Sequence, residues 1–250
     1  EIVTEANADE ILIVDKERSR SRRIRNPSSV EGVFSILGSN LNPILTQIAK
    51  TKRVLFVEGK DYQILGRLAR RLGSHRVGNR SDFAVVPIEG FNPERMKNLK
   101  SGMEATLGSG IVSALILDRD YRSEEQCREI EQECLKHADF VTVHPCKEVE
   151  NLLLVPQAID RALQQQIAKR PSKPGRALPS FPWAAKILSD YADTKRSYIS
   201  SQRASQARAF GKERSAGQHE TTFMEKAISE VDANWSSLEN RLKMISGKDA

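Results

Sequence analysis

Residues 111–120 read IVSALILDRD, a short run of apolar and β-branched residues that stops at Asp118-Arg119-Asp120. Three similar runs share its character: VLFV at 54–57, FAVVPI at 83–88 and FVTV at 140–143. Helical stretches lie between them. Nearly continuous apolar strands that alternate with helices are typical of a parallel sheet covered on both faces. The sequence therefore predicts an α/β fold with a parallel sheet flanked by helices.

The third predicted helix of this unit has a marked start. Ser123 followed by Gln126 fits a capping box, and Cys127, Ile130 and Cys134 then recur at helical spacing. No CxxC pair or partnering His spacing accompanies the cysteines, so we expect them to be small core residues rather than zinc ligands.

A change of pattern after Pro156 predicts a second domain. Strand signals stop, prolines interrupt residues 171–182, and an amphipathic helical stripe follows, which indicates a packing face. The stripe consists of Met224, Ile228, Val231, Trp235, Leu238 and Leu242.

Four segments result from these patterns. We predict a lead-in at 1–35 with a strand-like ILIV at 11–14, an α/β domain at 36–157, a mainly helical domain at 158–240 and a return segment at 241–250. The first residue is Glu1 rather than Met, so we expect a fragment of a longer chain.

Length and composition limit the class of protein. The chain has 250 residues, 39% hydrophobic and 29% charged, which suits one large domain or two smaller ones. No apolar run approaches the ~18 residues of a membrane-spanning helix. The acidic start does not resemble a signal peptide, and three cysteines do not make a disulfide framework. We therefore expect a cytoplasmic protein with no membrane partner.

The net charge of +6 becomes informative through its placement. Basic residues gather in three stretches and are candidate contacts for nucleic-acid phosphates, although solvated faces and loops would look the same. The candidates are Arg20, Arg22, Arg23, Lys169, Arg170, Lys173, Arg203 and Arg208.

Acidic residues follow each of the four predicted strands. In chain order the loops contain Glu58-Gly59-Lys60-Asp61, Glu89-Gly90, Asp118-Arg119-Asp120 and Lys147-Glu148-Val149-Glu150. The carboxyl ends of parallel strands meet at one edge, where ligands bind. Converging carboxylates repel unless a cation neutralises them, and hard divalent cations prefer oxygen ligands. Each loop taken singly would also fit a turn or an ion-pair acceptor. Together they predict a metal site.

The spacing of the two aspartates in the Asp118-Arg119-Asp120 loop predicts which side chains point the same way. At the end of a strand, residues i and i+2 project to the same side. We therefore expect Asp118 and Asp120 to share a pair of metals while Arg119 points away. No GxGxxG or GxxxxGK[ST] motif occurs, so a nucleotide-phosphate loop is not expected.

Two of these loops resemble a known domain. Val57-Glu58-Gly59, followed two β-α steps later by Leu117-Asp118-Arg119-Asp120, is similar to the TOPRIM domain of topoisomerases, primases and certain nucleases, over about residues 50–157. KEVENLL at 147–153 and Gly247-Lys248-Asp249 resemble the overcoming-lysogenisation-defect (OLD) family of nucleases. The opening EIVTEANADEILIVDK resembles the end of that family's ABC-type ATPase domain.

The resemblance implies a Rossmann-like TOPRIM fold and a DNA endonuclease that uses two Mg²⁺ or Mn²⁺ ions, in phage defence or DNA processing. It implies DNA as substrate, an ATPase domain in cis, and a helicase or a second copy as partner. By matching positions, it implies catalytic roles for Glu58, Asp118, Asp120, Glu150 and Lys248. The metal ligands implied are Glu58, Asp61, Asp118, Asp120, Glu148 and Glu150.

Two alternatives remain open at this point. A topoisomerase or primase is the first, and strand passage would need a nucleophilic tyrosine. Nothing in the sequence around Tyr62, Tyr121, Tyr191 or Tyr198 recommends one. The second is a non-catalytic DNA-binding scaffold with the same fold.

Overall fold

The computed structural model describes residues 12–14, 21–23, 43–88, 93–169, 182–214 and 220–250. The predicted Glu89-Gly90 loop lies outside these ranges, as do three of the proposed phosphate contacts, Arg20, Arg170 and Lys173.

The elements of the first half of the chain alternate between helices and strands. They are β1 (Leu12–Val14), β2 (Ser21–Arg23), α1 (Pro43–Thr51), β3 (Arg53–Glu58), α2 (Tyr62–Arg71), α3 (His75–Asn79), β4 (Ala84–Ile88), α4 (Pro93–Leu107) and β5 (Val112–Leu117).

The second half is mostly helical after one further strand. Its elements are α5 (Glu124–Leu135), β6 (Phe140–Val143), a 3-10 helix (Val149–Leu153), α6 (Pro156–Ala168), α7 (Ala184–Arg214), α8 (Glu220–Asn234) and α9 (Leu238–Met244). None of the helices in the described ranges combines the length and apolar character needed to cross a membrane.

The chain divides into two compact units. The first comprises Glu1–Leu117 and Glu133–Thr142, and the second comprises Asp118–Gln132 and Val143–Ala250. This division rests on contacts, whereas the four predicted segments rest on composition and pattern; those segment boundaries stay a prediction.

A four-stranded parallel sheet forms the framework of the first unit, and this confirms the predicted α/β class. Its strand order is β4-β3-β5-β6, and β3 pairs in parallel with both β4 and β5. Each predicted apolar run forms a strand. The order reverses direction between β3 and β5, and ligands of open α/β sheets bind beyond the carboxyl ends of strands at such a switch point. Glu58 is the last residue of β3, and Asp118 directly follows β5.

The strands form where the sequence is apolar because both faces of the sheet are covered. Val54, Leu55, Phe56 and Val57 are all buried. Leu55 and Val57 cluster with Tyr62 of α2, while the intervening residues face the other side, as strand alternation requires.

The capping box of α5 is confirmed. The Ser123 N–H donates to Gln126 Oε1 at 2.8 Å, and the Gln126 N–H donates to Ser123 Oγ at 3.2 Å. Cys127 and Cys134 are buried thiols, as predicted.

The second unit has a core on the long helix α7. Leu188, Ala192 and Ile199 of α7 cluster with Val231 of α8 and with Trp235. The indole N–H of Trp235 donates to Asp193 Oδ1 at 2.8 Å, so the polar part of this large side chain is satisfied.

The predicted amphipathic stripe is split between two helices. α8 ends at Asn234, and α9 begins at Leu238 after Ser237, whose Oγ accepts the Asn240 N–H. The expectation of one continuous face is wrong at Ile228, which is 40% exposed. The break between the two helices interrupts the stripe.

Candidate functional site

The loop that follows β5 begins with a buried carboxylate. Asp118 Oδ1 accepts the Val149 N–H at 3.1 Å. Because Val149 is the first residue of the 3-10 helix, this bond ties the loop that begins at Asp118 to the segment that contains Glu148 and Glu150. Two of the predicted acidic loops are thereby held together.

The return segment reaches the same place through Asn151. Its side-chain Nδ2 donates to the carbonyl oxygens of Leu242 at 2.6 Å and Ile245 at 2.9 Å. Next to these bonds the backbone of Gly247 approaches very closely, since a Cβ there would lie 2.6 Å from Asn151 N and 2.9 Å from Glu150 C. Only glycine allows this approach.

Lys248 lies among three of the acids. Its Nζ is 3.7 Å from Glu150 Oε2, 3.8 Å from Glu148 Oε2 and 4.0 Å from Asp118 Oδ2. The carboxylates are largely buried, whereas the lysine side chain is 53% exposed. We call Asp118, Glu148, Glu150 and Lys248 the carboxylate–lysine site.

Glu148 holds the return segment by both of its oxygens. Oε1 accepts the Lys248 backbone N–H at 2.7 Å and the Ser246 hydroxyl at 3.0 Å. Oε2 accepts from Lys147 Nζ at 2.6 Å. Burial alone would raise the pKa of Glu148, but these hydrogen bonds and the Lys147 charge together lower it. Glu148 is therefore an ionised anchor for Lys248, and its service as a metal ligand stays a prediction.

Asp120 has a geometry that differs from the expectation. Its φ is 52°, in the left-handed region, and its N–H donates to the Lys147 carbonyl at 2.8 Å. One carboxylate oxygen accepts from Arg122 Nη1 at 2.8 Å. β5 ends at Leu117, so the strand alternation that we expected to align Asp118 with Asp120 does not extend to Asp120. That geometric reason is wrong; the metal-ligand role of Asp120 stays a prediction.

Glu58 and Asp61 belong to the first unit, in a tight turn. Gly59 has a φ of 48°, its N–H donates to the Ile88 carbonyl at 3.2 Å, and the Asp61 N–H donates to the Glu58 carbonyl at 3.1 Å. Asp61 is buried at the start of α2. Their participation in a common site with Asp118 stays a prediction.

The donor set suits a hard cation. Asp118 and Glu150 supply carboxylate oxygens only, the ligand type that Mg²⁺ and Mn²⁺ prefer. Glu150 Oε2 is buried and accepts no hydrogen bond, and the Lys248 Nζ lies 3.7 Å from it. Across the described ranges, no three His, Cys, Asp or Glu side chains are already gathered tightly enough to hold a metal ion. In this structure the Lys248 ammonium supplies the positive charge at that position.

The predicted phosphate contacts differ in exposure. Lys169 is exposed at the end of α6, and Arg208 pairs with Glu220 at 2.6 Å on the surface. Arg203 is only 11% exposed and lies 3.9 Å from Glu230. Burial, then the nearby Arg119 charge, lower the pKa of Arg203. The burial of Arg203 and its ion pair with Glu230 favour a structural role, in which Arg203 links α7 to α8, over a contact with phosphate.

Arg22 and Arg23 lie in β2, which pairs with β1 in an antiparallel two-stranded sheet. They are backbone-paired with Ile13 and Leu12 respectively. Their predicted contacts with phosphate stay a prediction.

Sequence patterns did not indicate three residues that shape the site. Lys147 and Ser246 bind Glu148, and Asn151 binds the return segment. Asn151 had one available signal, since it lies three residues after Glu148 and accepts the Glu148 N–H at 3.0 Å, as in a capping motif. Ser246 had none.

No family model, no curated protein and no solved structure matches this chain.

Proposed function

We propose that this chain is the catalytic region of a divalent-metal-dependent DNA endonuclease. One observation carries the proposal: the Lys248 ammonium lies within 4.0 Å of Asp118, Glu148 and Glu150. The loop after β5, the segment at the 3-10 helix and the return segment together supply these four residues. A half-exposed cation among buried carboxylates is suited to bind an anionic group and a second cation together. A phosphodiester with its metal ion has this charge pattern.

The residues have distinct roles in this proposal. Asp118 and Glu150 would hold the cation, with Asp120, Glu58 and Asp61 as further ligands. When bound, a pair of such ions activates water and stabilises the leaving oxygen in phosphodiester cleavage. Lys248 would place its positive charge against the phosphate as negative charge develops, an effect of about 3 to 4 kcal/mol where water is excluded. Glu148 would fix the backbone of Lys248.

Finer assignments belong to the same proposal and rest on the quoted sequence motifs. They are a TOPRIM domain of the OLD nuclease type, two Mg²⁺ or Mn²⁺ ions, an ATPase domain in cis and a cytoplasmic location. DNA backbone contacts by basic residues such as Lys169 and Arg208 would position the substrate without reading its sequence.

The tyrosines of this chain give less support to the topoisomerase alternative than the carboxylate–lysine site gives to the nuclease. Burial, followed by the neighbouring Tyr198 and the charges of Glu148, Asp120 and Asp249, raises the pKa of Tyr121 to about 12. Burial also raises the pKa of Tyr62 and Tyr191. A nucleophile needs the opposite shift or an adjacent base.

A plasmid assay tests the proposed activity. The purified chain with Mg²⁺ or Mn²⁺ is expected to convert supercoiled plasmid to nicked or linear forms, and Asp118→Asn is expected to abolish the conversion while the fold is retained. Intact plasmid with the folded wild-type chain, or equal cleavage by Asp118→Asn, would overturn the proposal. Binding without cleavage would favour the scaffold alternative.

A further inference from the structure

Two tyrosines of the second unit, Tyr121 and Tyr191, lie near the carboxylate–lysine site, and a third, Tyr198, contacts Tyr121. Tyr121 follows Asp120 in the loop after β5, and Tyr191 and Tyr198 belong to α7. The Tyr121 and Tyr198 rings meet edge to face, with centroids 6.1 Å apart and an interplanar angle of 84°. Tyr198 is nevertheless 55% exposed. One ring is thus held by an aromatic neighbour while much of its surface faces solvent.

The contacts of these tyrosines connect them to the site. Lys147 Nζ, which binds Glu148, lies 5.3 Å from the centroid of the Tyr121 ring. The charges of Glu148 and Asp249 act on Tyr191 as well as on Tyr121, after the larger effect of burial. The Tyr121 and Tyr191 rings therefore lie near residues that we propose act on a phosphodiester, and Tyr198 contacts the Tyr121 ring.

The positive charge of Lys195 lies on the same side of α7 as two of the tyrosines. Tyr191, Lys195 and Tyr198 follow one another at steps of four and three residues, so they share one side of the helix. Lys195 is exposed, and its Nζ lies 5.4 Å from the centroid of the Tyr191 ring. A stacking surface with an adjacent cation suits a base and its neighbouring phosphate.

We propose that Tyr121, Tyr191 and Tyr198 form a platform on which an unpaired nucleotide base stacks, with Tyr198 as the contact surface and Lys195 near the adjoining phosphate. The substrate class is then single-stranded DNA, or duplex DNA with unpaired nucleotides, rather than fully paired DNA. This inference rests on the proposed function, because it places the stacked base beside the same site.

The physical reason for this selectivity is the accessibility of a base face. Bases inside a duplex are stacked on their neighbours and offer no free face, whereas a base in a single strand does. An aromatic ring can stack on any of the four bases. The platform therefore selects unpaired over paired DNA and does not select a base sequence. Negative supercoiling favours local unpairing, and this makes a supercoiled plasmid compatible with the same preference.

Binding measured without cleavage tests the platform. Fluorescence anisotropy with EDTA present would compare a labelled oligothymidylate, an abasic strand of equal length and a blunt duplex. We expect the wild-type chain to bind oligothymidylate at least about fivefold more tightly than the abasic strand. We expect Tyr198→Ala to lose that difference and Tyr198→Phe to keep it.

Matched controls distinguish stacking from a general loss of surface. Ile228→Ala removes an exposed apolar side chain from α8 and is expected to bind as the wild type does. Duplex bound as tightly as oligothymidylate, equal binding of the abasic strand, or unchanged binding by Tyr198→Ala would overturn the inference. Intact plasmid together with the expected binding pattern would reject the proposed cleavage and leave the platform supported.

Discussion

The backbone N–H of Lys248 donates to Glu148 Oε1 at 2.7 Å although 100 residues separate the two. The bond links the return segment to the 3-10 helix and fixes the point from which the lysine side chain extends. Because Glu148 also accepts from Lys147 and Ser246, the lysine is held by a buried carboxylate that is itself fixed on two sides. Such an arrangement places a charge with little reorganisation, as electrostatic catalysis requires.

Lys248→Met should reduce DNA cleavage by about 10²- to 10³-fold, the loss typical of removing one preorganised charge partner in a catalytic site. Methionine keeps most of the length of the side chain but no charge. The measurement is the single-turnover nicking rate. Lys243→Met is the matched control, because Lys243 is a half-exposed lysine of α9 that pairs with Glu239; it should cleave as the wild type does. Equal rates for both variants would remove Lys248 from the mechanism.

Glu148→Gln should destabilise the chain near neutral pH and reduce its sensitivity to acid. The folded pKa of Glu148 lies below its ordinary value of 4.5, so its ionised form stabilises the fold above that value. This stabilisation is lost as the pH falls through the folded pKa. Urea unfolding measured near neutral pH and at about pH 3 should therefore show a smaller difference between wild type and variant in acid. A difference that grows in acid would contradict the assigned direction.

Gly247→Ala should destabilise the second unit, because the new Cβ would lie 2.6 Å from Asn151 N, a backbone atom that cannot move aside cheaply. Overpacking of this kind costs about 1 to 3 kcal/mol. Gly102→Ala is the control, since Gly102 lies in α4 and a Cβ there meets nothing within 4 Å. That change should be neutral or stabilising by about 0.5 to 1 kcal/mol. Thermal unfolding of both variants is the measurement, and equal effects would be inconsistent with the close approach.

Asp160→Ala should weaken the start of α7. The Asp160 carboxylate accepts the Trp183 N–H at 3.1 Å and the Ala184 N–H at 2.9 Å, so a residue of α6 caps the next helix from a distance. Loss of a helix cap costs about 0.5 to 2 kcal/mol. Hydrogen exchange of the first turn of α7 should accelerate in the variant. Asp190→Ala, at an exposed position on α7, should leave that exchange unchanged. Unaltered exchange in Asp160→Ala would show that the cap contributes little.

Several features of the fold could be predicted because their causes are local. The four strands follow from apolar runs that exclude water on both faces, and the start of α5 follows from Ser123 and Gln126, which bind one another within one turn. The burial of Cys127 and Cys134 follows from helical spacing. Acidic loops after β5 and β6 could also be located, since the residues directly follow strand ends.

Other features depend on contacts that spacing does not encode. The left-handed backbone of Asp120 accompanies a hydrogen bond from its N–H to the Lys147 carbonyl. Ile228 fits the apolar stripe but is exposed within α8. The stripe is also interrupted, because α8 ends at Asn234 and α9 begins after Ser237. A stripe predicts a face only while one helix continues.

The amino-acid sequence by itself determined the α/β class, the positions of the strands and the acids that follow them, because side chains a few residues apart set these through hydrophobic burial and backbone preference. Only the tertiary structure decided that Lys248 lies among Asp118, Glu148 and Glu150. It also decided that Tyr198 contacts Tyr121 while remaining exposed to solvent. The physical reason is that long-range hydrogen bonds and steric fit, such as the close approach of Gly247 to Asn151, select one arrangement from the many that the same local pattern allows.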